Sequence, residues 1–185
     1  YLKRISKSAY RMEKLIDDLL KYSRIGMEDL VLVDVSLSRV LKEVISFLEK
    51  EISESNATID LPQQLPIVKA MKSQLIQIFI NLISNSIKYA KPGKPPKIKI
   101  QTYETKSSIK IMVSDNGIGI KKEYHEKIFE IFQRLHLDET IPGTGIGLAI
   151  VKKAIDKLGG NISVNSKLNH GAIITINLQK AEQVT

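Results

Sequence analysis

Hydrophobic residues recur over the first 24 residues at alternating intervals of three and four. They are Leu2, Ile5, Ala9, Met12, Ile16 and Leu19. This spacing is the a/d seam of a heptad repeat, and Leu15 and Leu20 widen it on one flank, which favours a helix bundle. Because a lone helix of this length is marginal in water, we expect it to need a partner, most simply a second copy of the chain. The alternative is a helix that packs back onto its own domain.

After a break at residues 23–29, helix-like and strand-like patterns follow each other along the chain. The predicted strands are 31–35, 57–61, 67–70, 97–103, 109–113, 161–166 and 172–178. The first predicted helix follows a Ser36 cap and carries an apolar stripe. The others are 73–90, 122–132 and 145–158, and we expect Gly159 to end the last one in the left-handed conformation. The strands at 97–113 and 161–178 pair as two hairpins. We therefore predict an α+β fold, a two-layer sandwich of a mixed, mostly antiparallel sheet covered on one face by helices, preceded by a coiled-coil-like helix.

Composition narrows the function classes. The 185 residues suffice for one domain with a short appendage, and 43% hydrophobic and 26% charged residues are typical of globular proteins. No long apolar run or signal-peptide pattern occurs, so no membrane segment is predicted, and the absence of cysteine excludes disulfides and zinc–sulfur sites. The net charge of +8 is spread along the chain without interleaved aromatics, so we predict no nucleic-acid partner. The chain begins within a helical pattern and without Met, which we interpret as a piece of a longer protein.

Three polar residues share one face of the predicted helix 73–90. Asn81, Asn85 and Lys88 stand at i, i+4 and i+7, so their side chains project from the same side. An amide oxygen is a hard ligand that suits Mg²⁺ beside phosphates and water, and a lysine supplies a point charge for phosphate. Taken alone, the motif is also consistent with the solvated edge of an amphipathic helix.

A carboxylate and two glycines come directly after the predicted strand 109–113. Asp115 is followed by Gly117 and Gly119, so an acceptor lies where the backbone lets a flat ligand approach closely. Such an acceptor fits an exocyclic amino group like that of adenine. Asp-Asn-Gly is also good turn chemistry in any protein, so this motif alone does not decide between a turn and a site.

A glycine loop, Gly143-Thr144-Gly145-Ile146-Gly147-Leu148, stands at the start of the predicted helix 145–158. Glycines at a helix start expose backbone N–H groups to an anion under a favourable dipole. The spacing is not that of a dinucleotide-binding fingerprint, and the Gly-Lys-Ser/Thr element of a Walker loop is missing. Together, the three motifs supply what a site for Mg·ATP needs.

In combination the motifs closely resemble the ATP-binding domain of sensor histidine kinases, within the superfamily shared with gyrase, Hsp90 and MutL. The N box matches residues 81–89, and the first glycine box matches Asp115-x-Gly117-x-Gly119. The F box matches Phe129-Glu-Ile-Phe132, and the second glycine box matches residues 143–148. Residues 15–24 resemble the end of the second helix of the family's dimerisation and phosphoacceptor hairpin. The resemblance implies a hairpin helix at 1–28 and an ATP-binding kinase domain at 29–185.

The resemblance also implies a role for each site residue. The implied ATP contacts are Asn81, Asn85, Lys88, Tyr89, Asp115, Gly117, Gly119, Phe132, Arg134, Gly143, Thr144, Gly145, Gly147 and Leu148. Asn85 would bind Mg²⁺, Lys88 and Arg134 would reach phosphates, and Asp115 would accept from the adenine amino group. Tyr89 would line the adenine pocket, and residues 135–142 would form a mobile lid.

The implied activity is transfer of the ATP γ-phosphate to a histidine on a helix that would precede Tyr1. The phosphoryl group would then pass to a response-regulator receiver domain, within a cytoplasmic homodimer joined by the N-terminal helix. His125 falls between two boxes, and we interpret it as a surface residue. One alternative is an ATP-hydrolysing clamp, but such relatives carry a glutamate base where this chain has Asn81. Another is a degenerate module that only dimerises or docks.

Overall fold

A computed structural model of the chain describes residues 2–27, 29–133 and 143–181. The helices are α1 (Leu2–Met27), α2 (Leu37–Phe47), α3 (Glu49–Ser55), α4 (Lys72–Lys88) and α5 (Gly147–Lys157). The strands are β1 (Val33–Ser36), β2 (Thr58–Asp60), β3 (Ile67–Ala70), β4 (Lys97–Glu104), β5 (Ser108–Asp115), β6 (Asn161–Ser166) and β7 (Ala172–Gln179).

Five strands form the main sheet, in the order β2-β4-β5-β7-β6. Strand β2 runs parallel to β4, and the other three pairings are antiparallel. The pairs Ile100↔Val113 and Val113↔Ile174 set one register across the centre of the sheet. Strands β1 and β3 form a separate antiparallel ribbon, tied to the main sheet by a bridge between Val68 and Lys180. The predicted mixed, mostly antiparallel sheet is confirmed.

Period-two alternation places the isoleucines of β4 and β5 on one face of the sheet, where they are buried. Helices α2, α4 and α5 cover that face with their apolar stripes. The opposite face carries exposed polar side chains such as Lys99, Lys110 and Ser163. The predicted two-layer α+β sandwich is therefore confirmed.

The structure confirms the two predicted helix ends, the start of α2 and the end of α5. The Ser36 side chain accepts a hydrogen bond from the N–H of Arg39 at 3.4 Å and caps α2. Gly159 has φ of +70° just after α5, and the N–H of Gly160 donates to the carbonyl of Ile155 at 2.9 Å.

The prediction of one helix over 122–132 is wrong. The segment forms two 3₁₀ turns, Lys122–Tyr124 and Lys127–Phe129. Of the two turns only Ile128 is buried, so the segment lacks the apolar stripe that would hold a longer helix against the core. Phe132 then leaves helical geometry altogether, with φ of +65°.

Helix α1 packs back onto the domain through a face that adjoins the flank of its heptad seam. Leu15, Tyr22 and Ile25 contact the core. The seam residues Ile5, Met12, Ile16 and Leu19 remain exposed. The structure therefore shows the alternative in which the helix packs onto its own domain. The heptad seam itself is exposed in the single chain. Within the described ranges, no helix combines the length and apolarity needed to cross a bilayer.

Truncation of Phe79 tests the core assignment, since its side chain is fully buried on α4. We expect Phe79→Ala to lower the free energy of unfolding by about 3–5 kcal/mol, because it removes apolar burial and leaves a cavity. Phe47→Ala is the matched control, because Phe47 is 71% exposed and should cost less than about 1 kcal/mol. Urea unfolding followed by circular dichroism measures both. Equal losses would contradict this account of the core.

Candidate functional site

The polar face of α4 lies opposite its buried stripe, and Asn81, Asn85 and Lys88 are half-buried there. The Asn81 side-chain amide donates to the carbonyl of Gln77 at 2.9 Å, and the Lys88 Nζ lies 4.6 Å from the centre of the Tyr89 ring. These residues line a cleft of about 610 Å³, which we call the outer cleft.

The glycine loop packs directly on this polar face. A Cβ at Gly143 would overlap Lys88 Nζ, and one at Gly147 would lie 2.9 Å from the side-chain oxygen of Asn81. A side chain at either position would compete for space with the Lys88 ammonium or the Asn81 side-chain amide. The first turn of α5, whose N–H groups have no acceptor within the helix, is thereby held beside Asn81 and Lys88.

Asp115 lies at the end of β5, and its two carboxylate oxygens have different surroundings. Oδ1 accepts hydrogen bonds from the N–H groups of Gly117 at 2.8 Å and Ala172 at 3.2 Å. Oδ2 lies 3.5 Å from the Ser86 hydroxyl, which also donates to the carbonyl of Leu82 at 3.0 Å. Oδ2 therefore keeps capacity to accept a hydrogen bond from a ligand.

Burial raises the pKa of the Asp115 carboxyl above its ordinary value. The hydrogen bonds from Gly117, Ala172 and Ser86 and the charge of Lys91 work in the opposite direction without cancelling the effect of burial. The carboxylate is thus kept in an environment of low polarity, where a hydrogen bond to a ligand is stronger than in water.

Asp115 opens into a smaller space of about 110 Å³, which we call the inner recess. Its walls are mainly apolar. They comprise Leu82, Asn85, Ser86, Tyr89, Asp115, Ile118, Gly119, Ile120, Ile128, Gln133, Leu148, Ala172 and Ile174. Asn85, Tyr89 and Leu148 line the outer cleft as well, so the two spaces adjoin. A flat apolar group that carries an amino donor fits the inner recess, and an anionic tail fits the outer cleft.

Two glycines let the chain close around Asp115. Gly119 has φ of +70°, and a Cβ there would overlap the carbonyl of Lys167. Gly171 has φ of +78°, and a Cβ there would overlap the carbonyl of Asp115 itself. The loop between β6 and β7 is therefore seated against the turn that follows β5, which brings the N–H of Ala172 to the carboxylate.

Most of the predicted site residues come together around these two spaces. The outer cleft gathers Asn81, Asn85, Lys88, Tyr89, Gly143, Thr144, Gly145, Gly147 and Leu148, and the inner recess adds Asp115 and Gly119. Gly117 is buried under them, and a Cβ there would overlap the carbonyl of Tyr89.

Two of the predicted ATP contacts, Phe132 and Arg134, are not among the described residues that line the two spaces. Phe132 is 61% exposed and lines neither space, whereas Ile128 of the same segment lines both. Arg134 and the predicted lid 135–142 lie outside the described residues.

Sequence reasoning missed Ser86, Ala172 and Gln133. Ser86 could have been predicted, because it directly follows Asn85 and lies on the helix turn that faces the end of β5. Ala172 acts through its backbone N–H, so only the register between β5 and β7 identifies it.

The donor chemistry of the outer cleft fits Mg²⁺. Asn85 lines both spaces, and its side-chain amide makes no hydrogen bond to the described residues. Mg²⁺ usually takes one or two protein oxygens and completes its shell with waters and phosphate oxygens. Asn85, with Asn81 one turn earlier, could hold the ion in this way.

Comparison with protein-family models places the chain in a known family. Residues 70–182 match the model described as histidine kinase-, DNA gyrase B-, and HSP90-like ATPase. The match covers more than half of the chain, so the protein belongs to this family.

Among curated relatives, the phytochrome-like protein Cph1 of Synechocystis sp. is 40% identical over 161 residues, which is 87% of this chain and 21% of that protein. The sensor histidine kinase WalK of Bacillus subtilis is 31% identical over 183 residues, 94% of this chain and 29% of WalK. The chain thus spans about a fifth to a third of the length of these relatives.

Among solved structures, the catalytic domain of the histidine kinase ThkA aligns with a TM-score of 0.69 at 28% identity, covering 81% of this chain and 96% of that one. ThkA in complex with the response regulator TrrA aligns with a TM-score of 0.75 at 26% identity, covering 100% of this chain and 52% of that one. These matches confirm the fold and the resemblance.

The raised pKa of Asp115 predicts a pH-dependent cost to folding. Because the folded-state pKa exceeds the unfolded one, the protonated carboxyl favours folding, and this contribution is lost as pH rises through the folded-state pKa. We expect the unfolding free energy of the wild type, relative to Asp115→Asn, to be highest below the ordinary carboxyl pKa of 3.8 and to fall as the pH rises towards neutral. Urea unfolding of both proteins across this range measures it. A difference that instead grows with pH would contradict the assignment.

Proposed function

We propose that the chain binds Mg·ATP across the inner recess and the outer cleft and serves as the phosphoryl donor of a sensor histidine kinase. The observation that carries the proposal is the meeting of three motifs, distant in sequence, around one continuous space. Family membership supports nucleotide binding by this space.

The inner recess suits the adenine ring. Its apolar walls remove the two faces of the base from water, and Asp115 Oδ2 can accept from the exocyclic amino group. The Ser86 hydroxyl can contact the neighbouring ring nitrogen or the carboxylate. A base that presents an acceptor at this position, as guanine does, would oppose the carboxylate.

The outer cleft suits the phosphates. Lys88 supplies a positive charge, and the loop 143–147 brings the first turn of α5 alongside it. Mg²⁺ held at Asn85 would neutralise charge on the phosphates. Phosphoryl transfer needs mainly positioning and charge stabilisation, so the domain requires no nucleophile of its own.

The acceptor in this proposal is a histidine on a helix that precedes Tyr1, and the final acceptor is an aspartate of a response-regulator receiver domain. The names of the relatives support it, since WalK is a sensor histidine kinase and ThkA forms a complex with a response regulator. We place the domain in the cytoplasm, where ATP is available.

Hydrolysis by an ATPase clamp is the weaker proposal for this chain. The position one helical turn before Asn85 is Asn81, whose amide donates to the carbonyl of Gln77. An amide cannot take a proton from water, so the general base that such a mechanism requires is missing at that position.

Asp115→Asn tests the base-binding role. The two N–H groups now bound to Oδ1 should hold the asparagine oxygen, which leaves the NH₂ group to face the adenine amino group as donor against donor. We expect Mg·ATP affinity to fall by about 10- to 100-fold, the range for a lost hydrogen bond to a charged group. Isothermal titration calorimetry measures the change.

Asp60→Asn is the matched control, because Asp60 is an exposed residue paired with Lys99 at 3.6 Å and lies outside both spaces. The affinity of the Asp60→Asn variant for Mg·ATP should equal that of the wild type. No binding of Mg·ATP by the wild type, or equal affinities for all three proteins, would overturn the proposed site.

The exposed seam of α1 leads us to propose a homodimer. Ile5, Met12, Ile16 and Leu19 form an apolar stripe that a second copy would cover as in a helix bundle. We expect Ile16→Glu to shift the chain towards monomer in sedimentation velocity, because dimer formation would bury an unpaired charge. Val31→Glu places the same charge at an exposed residue outside α1 and should leave association unchanged. A wild type that is monomeric at high micromolar concentration would contradict the proposal.

A further inference from the structure

Helix α1 contributes a carboxylate to the wall of the outer cleft. Asp18 lines the cleft, and its Oδ2 accepts a hydrogen bond from the Thr144 hydroxyl at 2.6 Å. Thr144 lies in the glycine loop, is buried, and accepts in turn from the N–H of Ile146 at 3.4 Å. A short hydrogen bond to a carboxylate is of the strong, charge-assisted kind. A negative charge is thus fixed against the loop that is proposed to receive phosphates.

The position of Asp18 is held by contacts further along α1. Lys153 Nζ donates to the carbonyl of Tyr22 at 2.8 Å and lies 4.1 Å from the centre of its ring. Lys157 Nζ donates to the carbonyl of Ile25 at 2.6 Å. Both lysines belong to α5, whose first turn follows the glycine loop. The C-terminal part of α1 and the glycine loop are therefore tied together through α5.

Other charges face the same cleft. Lys14 and Lys21 line it from α1, Glu51 from α3 and Lys88 from α4. Lys21 lies 3.9 Å from Asp18 but its side chain is 54% exposed, against 17% for Asp18. Glu51 accepts a hydrogen bond from Ser84 at 2.7 Å. Asp18 is the acidic group in contact with the glycine loop, and the more exposed Lys21 screens it only in part.

We propose that Asp18 is a specificity-determining residue that weakens binding of the triphosphate more than of the diphosphate. This rests on the proposed function, because it assumes that the outer cleft holds the phosphate tail. Each added phosphate charge increases the electrostatic repulsion between the nucleotide and Asp18. Asp18 also accepts the hydrogen bond of the Thr144 hydroxyl, which is then not available to a phosphate oxygen. By linkage, ATP then favours release of α1 from the glycine loop more than ADP does.

Asp18→Asn tests the charge with little change of shape, since an asparagine oxygen can still accept from Thr144. We expect Mg·ATP affinity to rise by about three- to tenfold and Mg·ADP affinity to rise less, because the added phosphate carries the extra charge. The gain should shrink between 50 mM and 500 mM salt, as an electrostatic effect does and a change in packing does not. Calorimetry with both nucleotides at both salt concentrations measures this.

Asp17→Asn is the matched control, because it removes the same charge one residue earlier in α1. Asp17 is exposed and lines neither space. Its affinities for both nucleotides should stay at the wild-type values. If Asp18→Asn matches Asp17→Asn, or weakens Mg·ATP, the inference is overturned while the proposed function stands. If the wild type binds neither nucleotide, the proposed function itself fails.

Discussion

The site depends on one half-buried hydrogen-bonding arrangement, the carboxylate of Asp115 held by the backbone N–H groups of Gly117 and Ala172. It joins the end of β5, the turn that follows it and the start of β7. Burial of a charge is costly, and the two N–H groups that bind Oδ1 offset part of that cost. Oδ2 is left with the distant Ser86 hydroxyl, so we expect the inner recess to favour a ligand that carries an amino donor. The close approach of Gly171 to the carbonyl of Asp115 follows from the same arrangement.

A second constraint is the division of α4 into two faces. Its apolar side anchors the helix against the sheet through residues such as Phe79 and Ile83, while its polar side remains available to a ligand. The glycine loop packs closely on that polar side, where Gly143 and Gly147 leave room for the side chains of Lys88 and Asn81. Core packing and ligand chemistry are therefore set by one helix, and the outer cleft is the space that results. Asp18, together with Lys14 and Lys21, adds a contribution from α1 to a space otherwise built by the domain.

Periodicity in the sequence predicted the elements that bury an apolar face. The hairpin of β4 and β5 and the stripe of α4 follow directly from alternation and helical spacing. The segment 122–132 was predicted wrongly because Ile128 is the one buried residue in its two turns. The motifs supplied Asp115 and Asn85, yet neither reveals the N–H of Ala172, which strand register brings to the site. The contact between Asp18 and Thr144 joins residues 126 positions apart, which local pattern cannot indicate.

In the proposed nucleotide site, Asp115 and its two backbone donors form the end that binds the base. The most direct measurement is a ¹H–¹⁵N correlation spectrum of the chain recorded with and without Mg·ATP. We expect the amide signals of Gly117 and Ala172 to shift strongly together, and those of Asn85 and Gly145 to shift as the phosphates bind. Saturable shifts that leave Gly117 and Ala172 unchanged and cluster on the outer face of the sheet would contradict it.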